Sequence, residues 1–267
     1  MIKAAISGSS GVIGKQLMQR LNELDIKPIP IPRSFLYDYP ALLAFFYKNP
    51  VEYIFHLAGY GNSYDHTDDF AIVGANIYCL FNLLMASKNM DYLGFINFST
   101  SSVMLPYDTM YSATKAGGER IVKAFVNKHD KPVVSIRPFT LIGRGEQYNH
   151  LIPTLIRSCK TGEKMSLAPD PRHDFIGSQD FLDAIVLIME HTKELKGKTI
   201  DIGTGKMTSN QEIREIVEKL TEKTANVDIV KNMRPYDALE WVAKPEVIQY
   251  LGWKQTQTIE DIIREMI

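Results

Sequence analysis

The chain has 267 residues, 45% of them hydrophobic and 23% charged, so it has the material for a sizeable core and is not a disordered segment. Its 30 lysines and arginines nearly cancel 31 aspartates and glutamates, leaving −1, so no global field favours nucleic acid and an anionic ligand must be held by a few placed groups. Cys79 and Cys159 lie far apart and outside any CxxC, which gives no support to a disulfide framework or a metal site and suits a reducing cytoplasm.

Strand and helix signals alternate through the first half. Residues 2–7 form a short apolar run that ends in a glycine turn before a signal-peptide core develops, and residues 12–24 follow with Ile13, Leu17, Leu21 and Leu24 at helical spacing. Further strands are expected at 29–31, 54–58, 94–99 and 133–137, with helices at 41–48, 70–88 and 111–129. This alternation implies an α/β fold with a doubly wound parallel sheet. Beyond Pro138 the texture changes, with Gly143, Gly145, Pro153, Pro169 and Pro171 punctuating helices near 151–161, 180–191 and 211–221. A last helix is expected from Ile259, with Thr258 as its N-cap and Asp261 in its first turn. No run approaches the roughly 18 apolar residues of a membrane span, so the reading is a cytoplasmic protein without a membrane partner.

Gly8-Ser9-Ser10-Gly11-Val12-Ile13-Gly14 joins the first strand to the first helix, where small residues let backbone N–H groups and the helix dipole meet a pyrophosphate. That is the opening of a Rossmann-type dinucleotide site. An NAD-type site places an acid at the end of the second strand; this chain offers Arg33 and Ser34, which suit a 2′-phosphate and make NADP(H) the preferred cofactor and NAD(H) the second choice. Arg33 as a solvated surface arginine is the alternative. Tyr111 and Lys115 lie four apart on one face of a helix, so a neighbouring ammonium is expected to favour the phenolate and permit proton exchange with an alcohol or carbonyl. The hydroxyl-rich segment Ser99-Thr100-Ser101-Ser102 ends a preceding strand at the edge where open α/β sheets bind ligands. His56, inside an apolar strand, reads as a hydrogen-bonded buried histidine, and Asp38 as a contact to the adenine edge.

These residues together resemble the extended branch of the short-chain dehydrogenase/reductase family, the NAD(P)-dependent sugar-nucleotide epimerases, dehydratases and reductases. His56-Leu57-Ala58-Gly59 is similar to the family's H-L-A-A strand end, the stretch from Asn76 to Leu84 to N-V-x-G-T-x-N-L-L, and the stretch from Ser99 to Met104 to S-T-x-x-V-Y. Arg137-Pro138-Phe139 with Gly143 resembles R-P-x-x-x-x-G, Asp174-Phe175-Ile176 with Asp180 resembles R-D-F-x-x-V-x-D, and Ile202-Gly203-Thr204-Gly205 resembles N-I-G-x-G. Arg234-Pro235-Tyr236-Asp237 and Leu251-Gly252-Trp253 are like the closing R-P-G-D and L-G-W.

The resemblance implies a nucleotide-binding domain over residues 1–141 and about 174–202, and a smaller substrate-binding lobe over about 142–173 and 203–267. It implies Thr100, Tyr111 and Lys115 as catalytic residues, with Ser101 the runner-up hydroxyl. Gly8, Ser10, Gly11, Val12, Ile13, Gly14, Arg33, Ser34, Leu57, Ala58, Gly59, Lys115 and Pro138 would hold the cofactor. Ser101, Tyr60, Thr140, Arg172 and Arg234 would hold a nucleotide-sugar substrate. Two departures narrow the reading. Only 11 positions separate Thr100 from Tyr111, where typical members insert a longer segment, and Ser101 and Ser102 stand where dehydratases carry Asp-Glu. The pattern looks most like the compact reductases that use NADPH on a nucleotide-activated 4-keto-6-deoxy sugar; a 4-epimerase is the alternative, and a cofactor-sensing binding protein the third reading. Family dimers pair through helices at 70–88 and 111–129, so a homodimer is expected, with Cys79, Phe81 and Phe125 as interface candidates.

Overall fold

A computed structural model describes residues 1–63, 65–231 and 238–267 of the chain. They divide into two compact units. The first comprises Met1–Met104, Asp108–Arg137 and Ala184–Ile200, and the second Leu105–Tyr107, Pro138–Asp183 and Asp201–Ile267. Residues 138–141 and 174–183 therefore fall in the second unit.

The first unit is built on β1 (Lys3–Ser7), α1 (Val12–Glu23), β2 (Lys27–Pro30), α2 (Tyr39–Lys48), β3 (Tyr53–His56), α3 (Asp69–Val73), α4 (Cys79–Ser87), β4 (Gly94–Phe98), α5 (Met110–His129) and β5 (Val133–Pro138). Its six-stranded sheet has the order β10-β5-β4-β3-β1-β2, where β10 is Thr199–Ile202. Strands β2, β1, β3, β4 and β5 pair in parallel, with Ser7 opposite His56 and Phe98 opposite Ile136. After β1 the chain moves to one side to make β2 and then returns to place β3 on the other. The carboxyl ends of β1 and β3 thus flank the switch point, where open sheets bind ligands.

β2 is the sheet edge, and its sequence shows how that edge is kept unpaired. Lys27 N–H donates to Ile2 O and Ile31 N–H to Ile6 O, both at 2.8 Å, so the odd-numbered residues point their donors at β1. The intervening positions, whose donors would point outward, are Pro28 and Pro30, which have none. From β2 the chain passes through a 3₁₀ turn, Arg33–Tyr37, directly into α2, two residues earlier than the apolar spacing suggests. The cause is Asp38, whose Oδ1 accepts from Ala41 N–H at 3.0 Å. Asp38 is therefore the N-cap of α2.

Helices α3 and α4 are joined by a π-helical turn, Gly74–Tyr78, into a helix over Asp69–Ser87. Its 19 residues are long and apolar enough, by length and composition, to cross a membrane; 56% of the apolar window is buried in the fold, against α2 and α5. Leu80, Leu83 and Leu84 close a core with Leu42, Phe45, Phe46, Phe95 and Val122. Of the three interface candidates, Cys79 and Phe125 belong to this core, while Phe81 is 48% exposed and continues a line of exposed apolar residues with Phe70, Val73 and Tyr78.

The second unit comprises β6 (Thr140–Ile142), α6 (Leu151–Thr161), β7 (Met165–Leu167), β8 (Arg172–His173), β9 (Phe175–Gly177), β11 (Thr208–Ser209), α8 (Asn210–Thr221), β12 (Val227–Ile229), α9 (Glu246–Tyr250) and α10 (Ile259–Met266); α7 (Ser178–Glu190) and β10 run across the division. Its core packs Ile152, Leu155 and Ile156 of α6 against Ile213 and Val217 of α8 and Ile262 and Ile263 of α10. Thr258 and Asp261 form the capping box that opens α10. Two fully buried carboxylates brace its loops. Asp174 accepts from Thr204 N–H, Thr204 Oγ1–H, Gly205 N–H and Ala243 N–H, and Asp180 from Thr256 N–H, Thr256 Oγ1–H and Gln257 N–H.

The β2 edge gives a first prediction. A Pro28→Val/Pro30→Val variant should keep its circular-dichroism spectrum yet associate with rising concentration in light scattering, because two outward donors are restored. An unchanged scattering profile would show that the prolines do not guard the edge.

Candidate active site

The glycine loop fits its place through two close approaches. Gly8 has φ of +74°, and a Cβ there would stand 2.7 Å from Ala58 N; at Gly14 a Cβ would stand 2.2 Å from Gly8 O, so the start of α1 lies directly on the loop. Gly11 caps α1 with no side-chain bond to the first turn, which leaves the N-terminal donors of the helix to a ligand. On the other side of the switch point, Ser7 Oγ lies 2.7 Å from His56 Nδ1 and accepts from Ala58 N–H at 3.3 Å. Burial, with Lys115 nearby, pushes the His56 pKa down to about 3, so the ring is neutral and serves as a fixed hydrogen-bonding group.

Between these walls lies a cavity of about 510 Å³ within the first unit. It brings together Gly8, Ser10, Gly11, Arg33, Leu57, Ala58 and Gly59 of the expected cofactor residues, and also Tyr60, expected at the substrate. Val12, Ile13 and Gly14 form the first turn of α1 behind the loop, and Ser34 is exposed on the 3₁₀ turn; none of these four lines the cavity. Tyr37 and Cys79 line it too and were not read from the sequence as binding residues. Burial and the Cys79 thiol raise the Tyr37 pKa, while a hydrogen bond with Arg33 opposes them, so Tyr37 braces the arginine from one turn away. The cavity size and the uncapped donors fit a dinucleotide. Arg33 stands at the end where a 2′-phosphate would be read.

At the carboxyl end of β4, Thr100, Tyr111 and Lys115 come together. Thr109 opens α5 with a capping box to Ser112, which sets Tyr111 in the first turn and Lys115 one turn on. The Thr100 hydroxyl donates to Ser102 Oγ at 3.1 Å and accepts from Ser102 N–H at 3.2 Å, and it stands where it can bond an ionised Tyr111 and so favour that form. Ser101, the runner-up hydroxyl, is buried in the following turn. Burial raises the Tyr111 pKa and the Thr100 bond pulls it back, so at neutral pH the phenol holds its proton. Lys115 is 7% exposed and donates to Phe98 O at 2.8 Å. The spacing argument has this ammonium favouring the phenolate; in the structure it is directed at the strand end, and burial brings its own pKa down to about 8. Gly59 leaves the space it occupies, since a Cβ there would lie 3.0 Å from Lys115 Nζ.

Asn76, inside the π-helical turn, ties the cavity wall to α5. Its Nδ2 donates to Tyr60 O at 2.8 Å and to Thr114 Oγ1 at 2.9 Å, and its Oδ1 accepts from Tyr60 N–H at 3.0 Å. Pro138, Thr140 and Arg172 belong to the second unit. Thr140 pairs with Phe175 between β6 and β9, and Arg172 reaches Glu212 at 3.7 Å. Arg234 lies outside the described residues.

The model of the NAD-dependent epimerase/dehydratase family matches residues 4–203. The chain belongs to that family. Among relatives, it is 26% identical over 228 residues to a trifunctional UDP-glucose 4,6-dehydratase/UDP-4-keto-6-deoxy-D-glucose 3,5-epimerase/UDP-4-keto-L-rhamnose-reductase of Arabidopsis thaliana, covering 77% of this chain and 33% of that protein. It is 24% identical over 164 residues to CDP-abequose synthase of Salmonella muenchen, covering 60% of this chain and 56% of the other. The chain thus spans between a third and just over half of these relatives' lengths. Among solved structures, UDP-glucuronic acid 4-epimerase from Bacillus cereus, with UDP-glucuronic acid and NAD, superposes with a TM-score of 0.87 at 22% identity over 99% of this chain and 97% of that one. UDP-glucose 4-epimerase from Thermotoga maritima, with UDP-glucose, gives 0.87 at 16% identity over the same shares. At such identities the likeness speaks for the fold.

The lowered Lys115 pKa fixes a pH dependence. A lysine lowered to about 8 carries its charge below that pH and loses it above, so any hold of the ammonium on a bound cofactor weakens as pH rises. Calorimetric titration of NAD(P)H should therefore show affinity falling above about pH 8 in the wild type and no such fall in Lys115→Met.

Proposed function

We propose that this enzyme carries out redox chemistry at C4 of a nucleotide-linked sugar and that its net reaction is 4-epimerisation. The observation that carries the first part is the convergence of Thr100, Tyr111 and Lys115 at the end of β4, beside a cavity of dinucleotide size. A nicotinamide held by the glycine loop and Lys115 would supply the hydride chemistry at C4 in either direction. Tyr111 exchanges the proton at the C4 oxygen: its protonated phenol is the acid that turns a 4-ketone into an alcohol, and its phenolate the base for the reverse. Thr100 donates a hydrogen bond to the same oxygen and steadies its negative charge, and Lys115 holds the nicotinamide ribose. Epimerisation requires both directions in one site; the 4-epimerases among the similar structures, with NAD bound, support that reading over reduction.

A second reading keeps one direction only. Arg33 in the cavity wall, with no acid at that strand end, supports NADP(H) and hence net reduction of a 4-keto-6-deoxy sugar, as does a phenol that rests protonated. On either reading, we place a second copy of the chain on the exposed apolar line from Phe70 to Phe81.

Three measurements test these readings. Tyr111→Phe should fold and bind cofactor but lose about 10²–10⁴-fold in rate, with Thr100→Val losing less. Interconversion of two 4-hydroxy nucleotide sugars on catalytic cofactor supports the epimerase; consumption of one NADPH per 4-keto sugar supports the reductase. Arg33→Ala should weaken NADPH by about tenfold, close to one charge-assisted bond of about 1.5 kcal/mol, and leave NADH unchanged. Equal effects on both cofactors would make Arg33 a bystander.

A further inference from the structure

Three consecutive residues at the end of β4 are each tied to a different turn of α5. Phe98 O accepts from Lys115 Nζ at 2.8 Å, Ser99 Oγ donates to Glu119 Oε1 at 2.6 Å, and Thr100, whose hydroxyl donates to Ser102 Oγ at 3.1 Å, acts on the Tyr111 phenol and lowers its pKa. Tyr111, Lys115 and Glu119 follow one another at four-residue spacing, so they line one face of the helix. Two of these three ties involve the residues of the proposed chemistry. The third involves Glu119 and Ser99, to which no role has been given.

Glu119 is held from its other side as well. Arg137, at the end of β5, donates through Nε to Oε1 at 2.8 Å and through its terminal nitrogen to Oε2 at 2.7 Å, a two-pronged ion pair whose carboxylate side chain is only 10% exposed. The β4 and β5 ends are themselves neighbours, with Ser99 N–H donating to Ile136 O at 2.8 Å. Ser99 is buried, and its hydroxyl donates to Glu119 at 2.6 Å. Arg137 thus fixes the carboxylate, the carboxylate fixes Ser99, and Ser99 is covalently next to Thr100.

We propose that Glu119 is a positioning residue that, through Ser99, holds the Thr100 hydroxyl in register with the Tyr111 phenol. It touches neither cofactor nor substrate. This role rests on the reading of Thr100 and Tyr111 as the reacting pair. The physical need is precision: a hydroxyl displaced by about 1 Å costs on the order of 10²-fold in rate, and a strand end with no side-chain tie has that freedom.

The test reads Tyr111 itself, in the full-length chain without cofactor. With ¹³C-labelled tyrosine, the Tyr111 resonance, assigned by its loss in Tyr111→Phe, is titrated by NMR in the wild type, Ser99→Ala, Thr100→Val and the double variant. The Thr100 bond lowers the Tyr111 pKa, so losing it raises that value by about half to one pH unit, the scale of one neutral hydrogen bond. Ser99→Ala keeps the Glu119–Arg137 pair and should raise the Tyr111 pKa in the same direction; in the Thr100→Val background it should add nothing, because the bond it supports is already gone. Glu119→Gln, which weakens the pair as well, should raise the Tyr111 pKa in the same direction as Ser99→Ala, at some cost in thermal stability. A Tyr111 titration that ignores Ser99→Ala, or effects that add in the double variant, would overturn the proposal. If Thr100→Val leaves the titration unmoved, both the pair and its positioning residue are overturned. Absence of turnover on every nucleotide sugar would overturn the proposed function alone, since the titration uses no substrate.

Discussion

A charged amine buried among backbone groups is expensive, and Lys115 is such a group. The first unit is arranged around the terms on which that ammonium is kept. It needs an acceptor, and the last carbonyl of β4 supplies one. It needs space, which Gly59 leaves by having no side chain. It needs neighbours that do not add positive charge, and His56, whose pKa lies near 3, stays neutral beside it. The switch point between β1 and β3 brings the glycine loop and the 57–60 segment together, and Gly59 of that segment lies against Lys115.

The cavity wall and the catalytic helix are coupled by a few polar groups in an otherwise apolar setting. Asn76 spans Tyr60 and Thr114, and the π-helical turn that carries it is a local irregularity of the kind found at functional positions. Glu119 joins β4, β5 and α5. Buried polar groups that are fully paired specify one arrangement, and here they specify the relative placing of the three side chains that would act on a substrate. The second unit uses the same device for a different end: Asp174 and Asp180 each take several backbone and hydroxyl donors and so hold loops without secondary structure.

Economy marks the nucleotide-binding unit. The chain goes from β2 through one 3₁₀ turn into α2 and on to β3, so among the described residues no strand lies outside β2. That saving exposes an edge, and prolines at alternate positions cover the liability without interrupting the bonds to β1. The same short crossover brings Arg33 and Tyr37 to the cavity directly after the strand, on a five-residue turn.

Much of this was legible in the residues. Alternating apolar runs gave the parallel sheet, and the glycine loop at a strand–helix junction and the tyrosine four residues before a lysine were visible because each is a local pattern with its own spacing. What the sequence could not hold were the relations between distant segments. Ser99, Glu119 and Arg137 are unremarkable apart from one another, and Tyr37 reads as a surface aromatic until the fold sets it beside Arg33 and Cys79. The protonation of Tyr111 also had to wait for the structure. Sequence spacing puts the ammonium on the same helix face, but desolvation and the direction of Lys115 depend on which strand end lies opposite, and only the packed sheet decides that.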